Sequence, residues 1–115
     1  MILSAGLRAF VCAEPIDMRK SIDGLAALVA PLLGRDVFSG GVFVFVGKRG
    51  DKVKLLVWDR HGFWLLYKRL ERGRFASPRG LTAHELPMAD VLLWLEGIDL
   101  KHTRRFAVVD AQQVA

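Results

Sequence analysis

Cysteine is almost absent from this sequence: Cys12 stands alone among 115 residues. A lone cysteine cannot close an internal bridge, so the fold must be held by its core, and a reducing compartment is the expected setting. Cys12 lies in an apolar stretch, which suits a buried structural thiol, and no histidine pattern beside it suits a nucleophile. Histidine is nearly as scarce. His61, His84 and His102 are far apart and there is no cysteine pair, so no metal-ligand spacing is visible. No glycine-rich loop of phosphate-binding length occurs. No apolar run approaches the roughly 20 residues that a membrane span requires. The opening residues, Met1 to Leu7, carry no basic segment, and Gly6 and Arg8 break their apolar run. A secretory signal is therefore not expected, and the cytoplasm is the expected location. Internal repeats and low-complexity segments are lacking too.

The acids Glu14, Asp17, Asp23, Asp36, Asp51, Asp59, Glu71, Asp90 and Asp99 are scattered and form no recognisable catalytic signature. They read as caps, turn residues and solvated pairs. No catalytic residue, metal or cofactor is assigned, and the chain is not expected to be an enzyme.

What is present is enough apolar residue, 52%, to build a core without staples. The apolar pattern runs as one block, which predicts a single domain over residues 1–105 and a flexible tail over 106–115. Lysine and arginine number 17 against 12 acids, a net charge of +5. That excess bears on partners rather than on fold and is compatible with nucleic acid.

Leu7 to Ala13 reads as a short strand, ended by Glu14-Pro15. Asp17 is a plausible N-cap for a helix in which Met18, Ile22, Leu25, Leu28, Val29, Leu32 and Leu33 form one stripe. Gly34 suits its C′ position, and Pro31 should kink its last turn. After the turn Phe38-Ser39-Gly40-Gly41, three strands follow: Val42–Gly47, Lys52–Trp58 and Phe63–Leu70. Their connectors are short and contain glycine, which demands hairpins and antiparallel order. Glu71-Arg72-Gly73 turns into a last short strand, Arg74–Ala76. Thr82-Ala83-His84-Glu85 has the capping-box form, so a second helix should run to about Glu96. The fold class is α+β: an antiparallel meander of four or five strands, with one helix before it and one after.

With the shortest loops, Val42, Val44, Val46, Val53, Leu55, Val57, Trp64 and Leu66 share one sheet face. The other carries Phe43, Phe45, Lys54, Leu56, Trp58, Phe63, Leu65 and Tyr67, edged by Lys52 and Arg69. Neither is polar. One must lie under the helices, and the other must be covered by curling of the sheet, by a partner or by a ligand. The composition of the second face suits nucleobase stacking, but the favoured reading is that its aromatics are core and its cations snorkel from the margin. The second helix is apolar nearly all round, which predicts burial or contact with another chain. Trp58, Tyr67, Leu92 and Trp94 are the candidate protein-interface residues.

The cations are organised. Lys48, Arg49, Lys52 and Lys54 lie on one hairpin, and Lys68, Arg69, Arg72 and Arg74 on the next. They are candidates for contact with a phosphate backbone, with a solvated, edge-blunting role as the alternative. Arg19 and Lys20 oppose the dipole of the helix they open. They can hold an anion there or pair with Asp17 or Asp23.

Several of these segments together resemble a known family. Asp17-Met18-Arg19-Lys20-Ser21-Ile22-Asp23-Gly24-Leu25-Ala26-Ala27-Leu28-Val29 is similar to the signature of the TnpB accessory proteins of insertion-sequence-66 transposons. Further matches are Phe38-Ser39-Gly40, Val44-Phe45, the run Lys48 to Lys54, Trp58-Asp59, Gly62-Phe63, the run Tyr67 to Phe75, and Leu93 to Asp99. The resemblance spans about residues 7 to 105. Departures are Pro31 and Pro87 within expected helices, a shorter region after Ser77, and the unlike segment 106–115. The family shares its name with unrelated RNA-guided nucleases, for which this chain is far too short. The resemblance implies a bacterial accessory factor for transposition, without established enzymatic activity, acting beside a larger transposase that carries the catalytic acids. The expected partners are transposon DNA, chiefly its phosphates, the element's transposase, and possible further copies of the chain itself, with no membrane partner. The alternative is a protein-interaction module that docks on the transposase or dimerises without touching DNA.

Overall fold

The computed structural model describes residues 3–80 and 84–97. Five strands, β1 (Arg8–Val11), β2 (Val42–Val46), β3 (Lys52–Asp59), β4 (Gly62–Arg69) and β5 (Glu85–Pro87), form one open sheet in the order β4-β3-β2-β1-β5. Helix α1 (Ile22–Leu28) precedes the meander and α2 (Met88–Leu95) follows it. The pairing is antiparallel except between β1 and β2, which run parallel. The long connection through α1 permits that crossover, whereas the short turns around β3 permit only hairpins.

The register follows the short-loop expectation. Val42, Val44 and Val46 oppose Val57, Leu55 and Val53, and these oppose Trp64, Leu66 and Lys68 in turn. Each sheet face has its own helix. α2 packs Met88, Val91, Trp94 and Leu95 onto the valine face, while Leu25 and Val29 of the α1 region pack onto Phe43, Phe45 and Leu56. Phe43, Phe45 and Leu56 of the aromatic face are therefore covered from within the chain, while Tyr67 on the same face stays 54% exposed. Two apolar faces and two helices from one short chain satisfy each other, giving three layers.

Four local expectations are corrected. Arg74–Ala76 is no strand; its one backbone–backbone bond runs from Phe75 N–H to the Gly50 carbonyl at 2.8 Å. The last strand is β5, which pairs with β1 at the far side of the sheet. Glu85 lies in β5 and not in a first helical turn, because Pro87 holds the N-cap position of α2. Thr82 and Ala83 fall outside the described residues, as does the expected tail 106–115. Ser21, not Asp17, is the N-cap of α1; Asp17 instead closes a turn by accepting from the Arg19 N–H at 2.9 Å.

Pro31 acts as expected at the end of the first helix. Val29–Leu33 opens into a π-helical turn that Gly34 terminates at φ +63°. Proline lacks the N–H of an α-helical bond and collides with the carbonyl four residues back, and a wider turn relieves both. The change of pitch turns Leu32 out of the stripe, to 46% exposure. α2 is buried along one side only. Its buried residues recur at helical spacing on one stripe, while Ala89 and Leu93 face outward.

Candidate nucleic-acid interface

One end of the sheet collects the cations. The turn Gly47-Lys48-Arg49-Gly50-Asp51 joins β2 to β3, closed by bonds from Gly47 N–H to the Lys52 carbonyl and from Gly50 N–H to the Gly47 carbonyl, both 3.0 Å. Gly50 has φ +78°, a conformation that favours glycine. Two further segments converge there. The loop after β1 runs beside β2, with Ile16 N–H on the Val46 carbonyl at 2.9 Å. The segment after β4 crosses the turn through the Phe75–Gly50 bond, and the Arg74 side chain lies against Gly50. Because Lys52 pairs with Arg69, the exit of β4 with Arg69 and Arg72 lies at this same end.

Two concavities flank the turn. One, of about 420 Å³, is lined by Glu14, Lys48, Arg49, Arg74 and Arg79 among others. The second, of about 660 Å³, is lined by Asp17, Arg19, Lys48, Arg49, Lys52 and Tyr67 among others. Lys48 and Arg49 form the ridge between them. Three of these cations are paired: Arg79 with Glu14 at 3.2 Å, Arg19 with Asp17 at 2.8 Å, and Lys52 with Asp51 at 3.1 Å. Lys48, Arg49 and Arg74 have no carboxylate within 4.0 Å among the described residues. Hydrogen bonds from Arg19 hold the Asp17 carboxyl down at about 2, and the bond from Lys52 lowers Asp51. These acids stay ionised and offset their partners, so the uncompensated charge concentrates on the ridge and on Arg74.

The other expected contacts are distributed differently. Lys54 is 9% exposed and donates to the carbonyls of Met18 and Lys20, both at 2.8 Å. It is a structural clamp, because its position in β3 points it under the loop that leads into α1. Lys68 lies on the opposite face and donates to the Leu95 carbonyl at 2.7 Å, where the negative end of α2 favours a cation. Arg69 pairs with Glu71 at 2.9 Å. Arg72 is exposed in the turn beyond it. The Lys20 side chain lies over Gly24, on the first turn of α1. The two hairpins therefore do not present all their cations on one edge.

Of the candidate interface residues, Tyr67 is 54% exposed with Lys54 Nζ 5.2 Å from its ring centre. Trp58 is half-buried, its ring edge-on to Phe38 and Phe63, each at 5.0 Å. Leu92 is half-buried against the core. Trp94 is core, not surface: it is 2% exposed and donates to the Ala76 carbonyl at 2.9 Å. Burial is decided by what packs on the helix, which its apolar composition does not reveal. Arg79 is the functional candidate that sequence reasoning missed. It reaches Glu14 across 65 positions, and no local signal marks that approach.

Among the described residues no group of three or more His, Cys, Asp or Glu side chains is placed to hold a metal ion. Nor is any helix among them long and apolar enough to cross a membrane.

Fold and charge together define a small basic α+β domain with a cationic end on an open sheet. The chain belongs to the insertion-sequence family described as IS66 Orf2 like protein, whose sequence model matches residues 7–105. That membership associates it with transposition, in an accessory role. Two proteins of Sinorhizobium fredii are similar to it. Uncharacterized protein y4jC is 37% identical over 114 residues, covering 97% of each chain. Uncharacterized protein y4hO is 34% identical over 97 residues, covering 84% of each. No solved structure matches the chain.

Proposed function

We propose that this chain is a non-catalytic accessory factor that binds transposon DNA through the cationic end of its sheet and works beside the element's transposase. The observation that carries the reading is the grouping of Lys48, Arg49 and Arg74 around one glycine turn, without a carboxylate partner among the described residues. Cations left uncompensated at a protrusion can each neutralise a phosphate and release a counterion. Arg19, Lys52, Arg69 and Arg72 border the same end. Their contribution is smaller where a carboxylate already engages them.

The contacts are to the backbone, since Lys48, Arg49 and Arg74 are the long, charged side chains of a turn and an adjoining loop and are suited to phosphates. Binding should therefore be weakly dependent on DNA sequence and steeply dependent on salt. Fluorescence anisotropy with a labelled duplex, titrated at several salt concentrations, tests this. Each phosphate contact contributes about −0.9 to the slope of log affinity against log salt. The triple variant Lys48→Ala/Arg49→Ala/Arg74→Ala should flatten that slope by about three contacts' worth. Negligible binding at about 50 mM salt, or a slope unchanged in the variant, would overturn the reading.

A further inference from the structure

Among the described residues strand β4 is an open edge, and its arrangement fits a second copy of itself. The other edge of the sheet is guarded: β5 has three residues and ends in Pro87, as edges that avoid pairing commonly do. β4 has eight residues and no proline. Trp64 is 53% exposed and Tyr67 54% exposed, and they project from opposite faces of this one strand.

The backbone pattern shows which groups of β4 have no partner among the described residues. Asp59 pairs with Gly62 across a two-residue turn, and Leu70 N–H donates to the Asp51 carbonyl at 2.7 Å. Antiparallel bonding alternates, so Gly62, Trp64, Leu66 and Lys68 direct their N–H and C=O groups at β3. Those of Phe63, Leu65, Tyr67 and Arg69 face away from it.

We infer that β4 pairs antiparallel with β4 of a second copy, about a two-fold axis through Leu65, and joins two sheets into one. In this register the outward groups of Phe63, Leu65 and Tyr67 meet their counterparts. Leu65 faces Leu65 of the second copy, Phe63 faces its Tyr67, and Trp64 faces its Leu66. Every central cross-strand pair is apolar. Lys68 and Arg69 fall at the two ends, opposite Gly62 and His61. Parallel pairing would set Lys68 against Lys68, and a register centred on Leu66 would set Trp64 and Phe63 against cations. The charges therefore select the two-fold arrangement centred on Leu65. Such a contact is isologous and closes at two copies. An eight-residue strand is roughly 26 Å long. A seam of one strand against one strand belongs with the small interfaces, below the ~1,200 Å² of stable complexes, so the dimer is reversible. The axis stands perpendicular to the sheet and places the two cationic ends at opposite ends of the pair, leaving both open.

Sedimentation velocity of the full chain without DNA, from about 1 to 100 µM, tests this. The expected result is a concentration-dependent shift from monomer to dimer. Tyr67→Pro removes one outward N–H and spares the ladder to β3, so it should weaken dimerisation about tenfold or more with an unchanged far-UV spectrum. Should proline disturb the strand, Trp64→Lys gives the same readout by setting a cation against Leu66. A chain that stays monomeric at about 100 µM, or a dimer that survives both substitutions, overturns the inference. A monomer that joins the transposase through an intact β4 also overturns it and assigns the edge to that protein. Because DNA is absent, failure here leaves the DNA reading standing, and loss of DNA binding leaves this one standing.

Discussion

Lys54 Nζ lies 2.8 Å from the carbonyl oxygen of Lys20, and it reaches that of Met18 at the same distance. A strand cation thereby satisfies two carbonyls in the loop that leads into α1. It fixes how the loop sits against the sheet and beside the Lys48–Arg49 ridge. Lys54→Met keeps the length and apolar stem of the side chain and removes the donor. We expect a loss of about 3 kcal/mol, since charged hydrogen bonds disappear and carbonyls are left unsatisfied. The denaturant midpoint should fall at an unchanged slope.

Trp94 joins α2 to the segment that carries Arg74 and Arg79. Its indole N–H bonds the Ala76 carbonyl at 2.9 Å, and its ring packs on Phe75 with centres 5.1 Å apart. Trp94→Phe retains most of the packing and orphans the carbonyl, at a cost of about 2 kcal/mol. Hydrogen exchange should rise at Phe75 and Ala76, while Leu93→Ala, on the outward side of α2, should leave both stability and exchange nearly unchanged.

Asp17 should report on acid stability. Its folded carboxyl titrates at about 2, through side-chain and backbone hydrogen bonds with Arg19, against about 3.9 in an unfolded chain. The folded value is depressed, so the stabilisation is complete above the unfolded value and is lost as the pH falls from about 4 towards 2. Carboxyl chemical shifts followed by NMR should show the low midpoint. Added salt should move it upward, because the pair is exposed and screened. Asp17→Asn should flatten the dependence of stability on pH in that window.

Cys12 should be chemically quiet in the native chain. It is 2% exposed, and burial pushes its thiol pKa up. At pH 8 a thiol reagent should modify it on the order of a hundredfold more slowly than in denaturant, at a rate that tracks unfolding. Rapid modification of the folded chain would contradict the packing of Cys12 against Phe43 and Phe45.

The strand register of the meander was legible in the residues themselves. Alternation fixes which side chains share a face, and short glycine turns leave no slack for a shift. Val42, Val44 and Val46 met Val57, Leu55 and Val53 as the turn lengths required. The first helix, its end at Gly34 and the disturbance at Pro31 were legible for the same local reason. Arg74–Ala76 was misread because a strand needs a neighbour with a free edge, and the segment makes a single backbone–backbone bond, from Phe75 to Gly50.

By itself the sequence determined strands β1 to β4, the register of the β2–β3–β4 meander, the helical stripes and the positive excess, because each depends on backbone geometry within a few residues or on composition alone; β5 was left to the tertiary structure, since its pairing with β1 is long-range. Only the tertiary structure decided what each cation does. Lys54 meets its acceptors 34 and 36 positions away, Lys68 meets Leu95 across 27, and Arg79 meets Glu14 across 65. Ion pairing and burial are set by whichever groups the fold brings within a few ångströms, and that proximity has no periodicity along the chain for a reader of the sequence to find.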